Sequence, residues 1–109
     1  MLDLENLNTE FVFVLDACTD HTEDKIYQDM YPFIFKILYC DHHSCGFARN
    51  EALNVATGEY IWFIDGDDWI IYPKVVQECL SILKSNNASI IQIPYISNYF
   101  KNYCPNMVW

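Results

Sequence analysis

Long apolar runs and basic residues are both scarce in this sequence. Phe11 to Leu15, Tyr60 to Ile64 and the Phe33 to Tyr39 stretch, broken by Lys36, are short, far below the roughly 18 apolar residues of a membrane-spanning helix. Six Lys and Arg stand against 15 Asp and Glu, a formal net charge of −9. Without a Lys/Arg cluster, binding to a nucleic-acid phosphate backbone is excluded as the main function, and an anionic membrane surface attracts the chain poorly. An anionic ligand would have to be held locally, through a cation or a helix N-terminus. The first ten residues, MLDLENLNTE, lack the basic and apolar regions of a secretory leader. No CxxC pair occurs, and the five cysteines, Cys18, Cys40, Cys45, Cys79 and Cys104, are an odd number. The expectation is mostly buried free thiols in a reducing, cytoplasmic setting.

What is present suits a packed domain. Of 109 residues, 52% are hydrophobic and 17% aromatic, enough for a core and too apolar for a disordered tail. The apolar pattern changes period repeatedly along the chain. Phe11-Val12-Phe13-Val14-Leu15 is a continuous run of β formers, as in a strand covered on both faces. Thr19 or Asp20 can cap a helix reaching to about Met30, and Pro32 ends it. Phe33 to Tyr39 reads as a second strand. Phe47 to Ala56 follows with helical spacing, Ala48, Ala52 and Val55 on one side, and Thr57-Gly58 as the stop. Tyr60 to Ile64 reads as a third strand with Trp62 and Phe63 in the core. Pro73 suits a first helical position, and Val76, Leu80 and Leu83 carry an amphipathic helix to about Asn86. Ile90 to Pro94 reads as a fourth strand. Tyr95, Tyr99, Phe100 and Tyr103, beyond it, read as an aromatic face awaiting cover.

Strands alternating with helices predict βαβ units and a three-layer α/β/α domain around a mostly parallel sheet. In such sheets ligands bind beyond the carboxyl ends of the strands. The first strand ends on Asp16, the second on the His/Cys loop that leads to Arg49, and the third on Asp65-Gly66-Asp67-Asp68. Chemistry is therefore expected at one edge of the sheet.

The acidic turn is the strongest candidate. Three carboxylates in four residues repel one another unless a cation neutralises them, and hard cations take oxygen ligands. Gly66 would allow a sharp turn and a close approach of a ligand to the backbone. Mg²⁺ or Mn²⁺ held there would bridge to diphosphate oxygens, so that an acidic chain could hold an acidic substrate. The competing reading is a solvated turn that caps the next helix. Cys40-Asp41-His42-His43-Ser44-Cys45 groups four zinc-type ligands, but so short a loop cannot easily surround one ion tetrahedrally. A loop packed against the ligand site, rather than structural zinc, is expected. Trp69 and Tyr72, past the turn, divide between lining a ligand pocket and ordinary packing.

Gly46-Phe47-Ala48-Arg49-Asn50, then Ala56-Thr57-Gly58-Glu59-Tyr60-Ile61, then Phe63-Ile64-Asp65-Gly66-Asp67-Asp68 resemble the family 2 glycosyltransferases. Val14-Leu15-Asp16-Ala17-Cys18-Thr19-Asp20-His21-Thr22 looks like an earlier turn of the same family, in the right order. The resemblance implies a partial GT-A fold, nucleotide-diphospho-sugar transferase-like, with residues 1–109 as its donor-binding half. Asp65 and Asp67 would contact ribose and the Mn²⁺ or Mg²⁺ ion, with Asp68 as a second metal ligand. Arg49 would pair with the diphosphate or lie beside the base. Asp16 would face the nucleobase, while Leu15 replaces an acid that many members carry. The alternatives are a surface ion pair for Arg49, with Glu51 or an acidic loop, and for Asp16 an Asx turn capping the following helix.

The resemblance further implies a UDP- or GDP-linked sugar donor, an acceptor glycan or lipid, and a cytoplasmic location, peripheral at the membrane through the acceptor. The family's first strand, central in its sheet, has no counterpart before Phe11, and Met1 to Asn8 reads as the helix that follows it. The acceptor half with its catalytic base has no counterpart either, so the chain reads as a truncated piece whose exposed sheet edges invite self-association. Two other functions compete: a non-catalytic remnant or interaction domain of the same fold, and a haloacid-dehalogenase-type phosphatase fragment. The phosphatase expects a small pair after the second acid, where Asp68-Trp69 stands.

Overall fold

The computed structural model describes residues 7–30, 32–68, 70–72 and 74–94. These divide after Ile70 into two compact units. The sequence readings at Pro73, Trp69, Tyr95 to Tyr103, Cys104 and most of Met1 to Asn8 lie outside the described residues.

The first unit is built on one strand pair. β1 (Glu10–Asp16) runs parallel to β2 (Ile34–Cys40), in register from Glu10 opposite Ile34 to Asp16 opposite Cys40. Both match the expected strands to within a residue or so. Between them lies α1 (Thr22–Asp29). Its start is fixed by Asp20, whose Oδ1 accepts the Thr22 N–H at 3.1 Å. Glu23 and Asp24 in the first turn suit the positive helix end, and Lys25 pairs with Asp29 at 2.7 Å one turn on. α2 (Cys45–Val55) follows β2. Its half-buried residues are Ala48, Ala52 and Val55, the three that the helical spacing placed on one side.

Side-chain alternation assigns the two helices to opposite faces of the strand pair. Phe11, Phe13, Leu15, Phe35 and Tyr39 share one face. There the Tyr27 ring of α1 meets Phe35 edge-on at 5.5 Å, Phe13 meets Phe35 at 6.4 Å, and the Tyr39 hydroxyl donates to Glu23. Glu10, Val12, Val14, Asp16, Lys36 and Leu38 share the other face. There Lys36 Nζ donates to Glu10 Oε2 and to the Val55 carbonyl at the end of α2, both at 3.0 Å. The α/β/α layering expected from the sequence is thus present around two parallel strands. Leu15 and Ile26 are the buried hydrophobic residues among those described in this unit.

Two expected strands are absent. Tyr60 to Ile64 and Ile90 to Pro94 pair with nothing in a ladder among the described residues, and the sheet there has two strands. The five side chains from Tyr60 to Ile64 are each 38–48% exposed. A covered strand would show low values on at least one face, so no face of this run is sequestered, and Trp62 and Phe63 are not core. The physical reason is that β propensity reports how well a residue fits a paired, packed surface and does not create one. The cysteines also depart from expectation. Cys18 and Cys45 are exposed, and Cys40 and Cys79 half-buried, all as free thiols.

In the second unit α3 (Val75–Asn86) carries the expected amphipathic face, with Val76 and Leu80 half-buried and Leu83 buried. Asn87 takes the left-handed conformation, φ 49°, and the Ala88 N–H returns to the Leu83 carbonyl at 3.0 Å, closing the helix. Among the described residues no helix is long and apolar enough to cross a membrane.

Glu10 makes the first unit acid-sensitive. Hydrogen bonds from the Thr57 side chain and backbone, followed by that from Lys36, lower its carboxyl from the ordinary 4.5 to about 2. A lowered folded-state value stabilises above the ordinary one, and the contribution is lost as pH falls from 4.5 through about 2. Thermal melts over that interval should show a falling midpoint, with a shallower fall in Glu10→Gln. Leu15→Ala should cost about 2–5 kcal/mol in denaturant titration, a large share of a small domain's roughly 5–15 kcal/mol.

Candidate functional site

Because β1 and β2 are parallel, their carboxyl ends lie at one edge, and the polar groups expected there are present. Asp16 closes β1. Its Oδ1 accepts the N–H groups of His42 at 2.7 Å and His43 at 3.0 Å, and its Oδ2 accepts that of Ser44 at 2.7 Å. The Ser44 N–H above all, then those of His42 and His43, bring the Asp16 carboxyl down to about 2. The Cys40 thiol is pushed up in turn, by burial first and by Asp16 second. The Asx turn expected as the alternative for Asp16 is not the arrangement present: its carboxylate bonds the 42–44 backbone, His21 is the N-cap residue of α1, and Asp20, one residue earlier, accepts the Thr22 N–H. The Ala17 N–H instead donates to the Cys40 carbonyl at 2.8 Å, with Ala17 itself in the left-handed region at φ 54°.

The 41–44 loop turns on His43, also left-handed at φ 50°, a conformation costing a non-glycine residue about 1–2 kcal/mol. Its two imidazoles have local partners. His42 stacks on Phe47 with centroids 5.0 Å apart, and His43 Nε2 lies 2.9 Å from Asp41 Oδ1. No three His, Cys, Asp or Glu among the described residues converge as a metal site, and Asp41, His42, His43 and Cys45 are exposed.

Arg49, in the second turn of α2, reaches the acidic turn. Its Nη2 lies 2.5 Å from Asp65 Oδ1, with both side chains about half exposed. That hydrogen bond, reinforced by the carboxylate charge, raises the Arg49 pKa. Of the two readings of Arg49, an ion pair with the acidic loop is the arrangement present. Solvent screens so exposed a pair, so it adds little to stability. Its interest is positional, because it joins two candidate residues 16 apart in sequence.

The turn is closed by the Asp68 N–H on the Asp65 carbonyl at 3.0 Å. Asp67 and Asp68 are exposed and make no ion pair among the described residues. Two exposed carboxylates suit the protein share of a Mg²⁺-type site, since that ion keeps waters and takes one or two carboxylates plus substrate phosphates. Gly66 departs from expectation. No glycine has positive φ, and a Cβ at Gly66 would meet nothing within 4 Å. The turn itself does not require glycine.

Sequence reasoning missed two features. A cavity of about 240 Å³ lies at the strand ends beside α1, lined by Leu15, Ala17, Cys18, Asp20, Glu23, Tyr39 and Cys40. Tyr39 stands over it with its hydroxyl bonded to Glu23, which raises the phenol to about 12. The second is Glu10, whose Oε1 accepts the Thr57 N–H at 2.5 Å and the Thr57 hydroxyl at 2.7 Å beyond the end of α2. Acids at both ends of an apolar strand were the available signal, but their partners follow only from the register.

The model of the family described as glycosyl transferase family 2 matches residues 1–107. The uncharacterized glycosyltransferase YibD of Escherichia coli K12 is 28% identical over 85 residues, covering 76% of this chain and 24% of that protein. The glycosyltransferase GlyA of Streptococcus pneumoniae is 34% identical over 88 residues, covering 72% of this chain and 12% of that protein. The chain thus spans a quarter or less of the length of these relatives. No solved structure matches it.

Gly66→Ala separates the roles of the turn. Circular dichroism and the thermal midpoint should be unchanged, because the added methyl enters open space. A lower midpoint would show that the turn needs glycine after all.

Proposed function

The chain belongs to glycosyltransferase family 2, and on that premise we propose that it binds the nucleoside diphosphate of a sugar donor at the acidic turn beside Arg49. The observation that carries this is the Arg49–Asp65 contact, which brings a cation from α2's second turn to the turn whose sequence carries Asp65, Asp67 and Asp68. A guanidinium offers a planar fork to diphosphate oxygens and needs no deprotonation to do so. Arg49 would move its hydrogen bonds from Asp65 to the diphosphate, leaving Asp65 free to accept from a ribose hydroxyl. Asp67 and Asp68 would hold Mn²⁺ or Mg²⁺, whose charge would offset that developing on the diphosphate leaving group.

The donor in this reading is a UDP- or GDP-linked sugar, and the acceptor a hydroxyl on a glycan or lipid at the cytoplasmic face of a membrane. Family membership disfavours the phosphatase reading. The non-catalytic alternative keeps the same fold and differs in lacking metal-dependent nucleotide binding. Self-association is supported by the exposed Tyr60–Ile64 run, since unpaired apolar β formers recruit strands.

Calorimetric titration of single variants tests the assignment. Asp67→Asn should abolish the Mn²⁺-dependent part of UDP or GDP affinity, and Arg49→Gln should weaken nucleotide binding by about tenfold or more. Unchanged Mn²⁺-dependent affinity in Asp67→Asn would remove the metal from this residue. Unchanged affinity in Arg49→Gln would leave its ion pair as surface decoration.

A further inference from the structure

We propose that Asp16 is a positioning residue for donor binding: its carboxylate gathers residues 42–44 and thereby fixes the N-terminal end of α2, the helix that carries Arg49 to the acidic turn. The functional half of this rests on the donor-binding reading above. The geometric half stands without it.

A carboxylate offers about four acceptor positions. On Asp16 three of them are taken by consecutive backbone N–H groups, both carboxylate oxygens being engaged. The carboxylate is thus committed to the loop backbone first. Consecutive N–H groups turned toward one point form an anion-binding nest, and here the nest is filled from within the fold by an acid on the neighbouring strand. The left-handed turn at His43 is what aims the three groups together.

Ser44, the residue before α2, makes no capping bond with its own side chain. Its N–H goes to Asp16 instead, so the start of the helix is fixed from the sheet. A negative group near a helix N-terminus is also favourable. Arg49 lies five residues beyond Ser44, about 7.5 Å along the axis, so a shift at the first turn is carried stiffly to the guanidinium. The far end of α2 is held separately, by Lys36 on the Val55 carbonyl and Glu10 on Thr57. Loss of Asp16 should therefore loosen one end of α2 and leave the fold in place.

Asp16→Asn, nearly isosteric, turns an amide toward the three donors. In the unmodified full chain the amides of His42, His43 and Ser44 should exchange slowly with solvent and resonate downfield. In the variant all three should lose protection, with shift changes running along α2 to Arg49. Mn²⁺-dependent UDP affinity is then measured in a cycle with Arg49→Gln. Asp16→Asn should weaken binding by about tenfold when Arg49 is present and hardly at all when it is Gln. Asp16→Glu, which keeps the acceptor charge, should recover part of the affinity, and it replaces Asn in the cycle if Asp16→Asn does not fold.

Equal losses in both Arg49 backgrounds would overturn the proposal, because Asp16 would then contact the nucleotide itself. Unprotected amides at 42–44 in the unmodified chain would overturn it too. If the unmodified chain binds neither UDP nor GDP with Mn²⁺, the donor-binding reading fails, and the amide shifts along α2 alone decide whether Asp16 positions Arg49; if it binds GDP alone, GDP replaces UDP in the cycle.

Discussion

One strand holds one helix at both ends. Glu10 opens β1 and takes Thr57 just past α2, while Asp16 closes β1 and takes the three N–H groups just before α2. The lengths agree: six steps of a parallel strand span about 20 Å, and an eleven-residue helix about 16 Å. The polarity agrees as well. A carboxylate stands near the helix N-terminus, and the Lys36 ammonium meets a carbonyl at its C-terminus, where each offsets the helix dipole. Strand alternation puts Glu10 and Asp16 on one face of β1, and the in-register parallel pairing with β2 puts Lys36 on that face too. A one-residue slip of either strand would leave Lys36 on the opposite face from the two acids.

That constraint explains what could be read from the sequence and what could not. Phe11 to Leu15, Phe33 to Tyr39 and the three helices were legible because their residues carry the local period and their ends carry stop signals. Ala48, Ala52 and Val55 were legible as the inner side of α2 for the same reason. Tyr60 to Ile64 has the composition of a strand and is not one here, since a ladder requires a second chain segment and no local property supplies it. The Glu10–Lys36–Thr57 cluster was illegible from the opposite cause. Its members lie 26 and 47 positions apart in sequence, and their meeting depends on register.

The candidate site was legible as residue types and only partly as geometry. Asp16, Arg49, Asp65, Asp67 and Asp68 were singled out because acids and a lone arginine follow apolar runs at one sheet edge. The contact between Arg49 and Asp65 was one of two readings, and Asp16's bonding to the 41–44 backbone was neither of those weighed for it. A chain of net charge −9 can hold a diphosphate only where cations are concentrated. Arg49 is the cation built into the acidic turn, and Asp67 and Asp68 are the exposed acids that a divalent ion would neutralise.

The most direct test of the donor-binding account is calorimetric titration of the unmodified 109-residue chain with UDP and with GDP, each with and without Mn²⁺. The account predicts binding of one nucleotide that depends on the metal, because an acidic surface has too little positive charge to hold a diphosphate alone. A folded chain that binds neither nucleotide in the presence of Mn²⁺, or binds one equally well without it, would contradict the account.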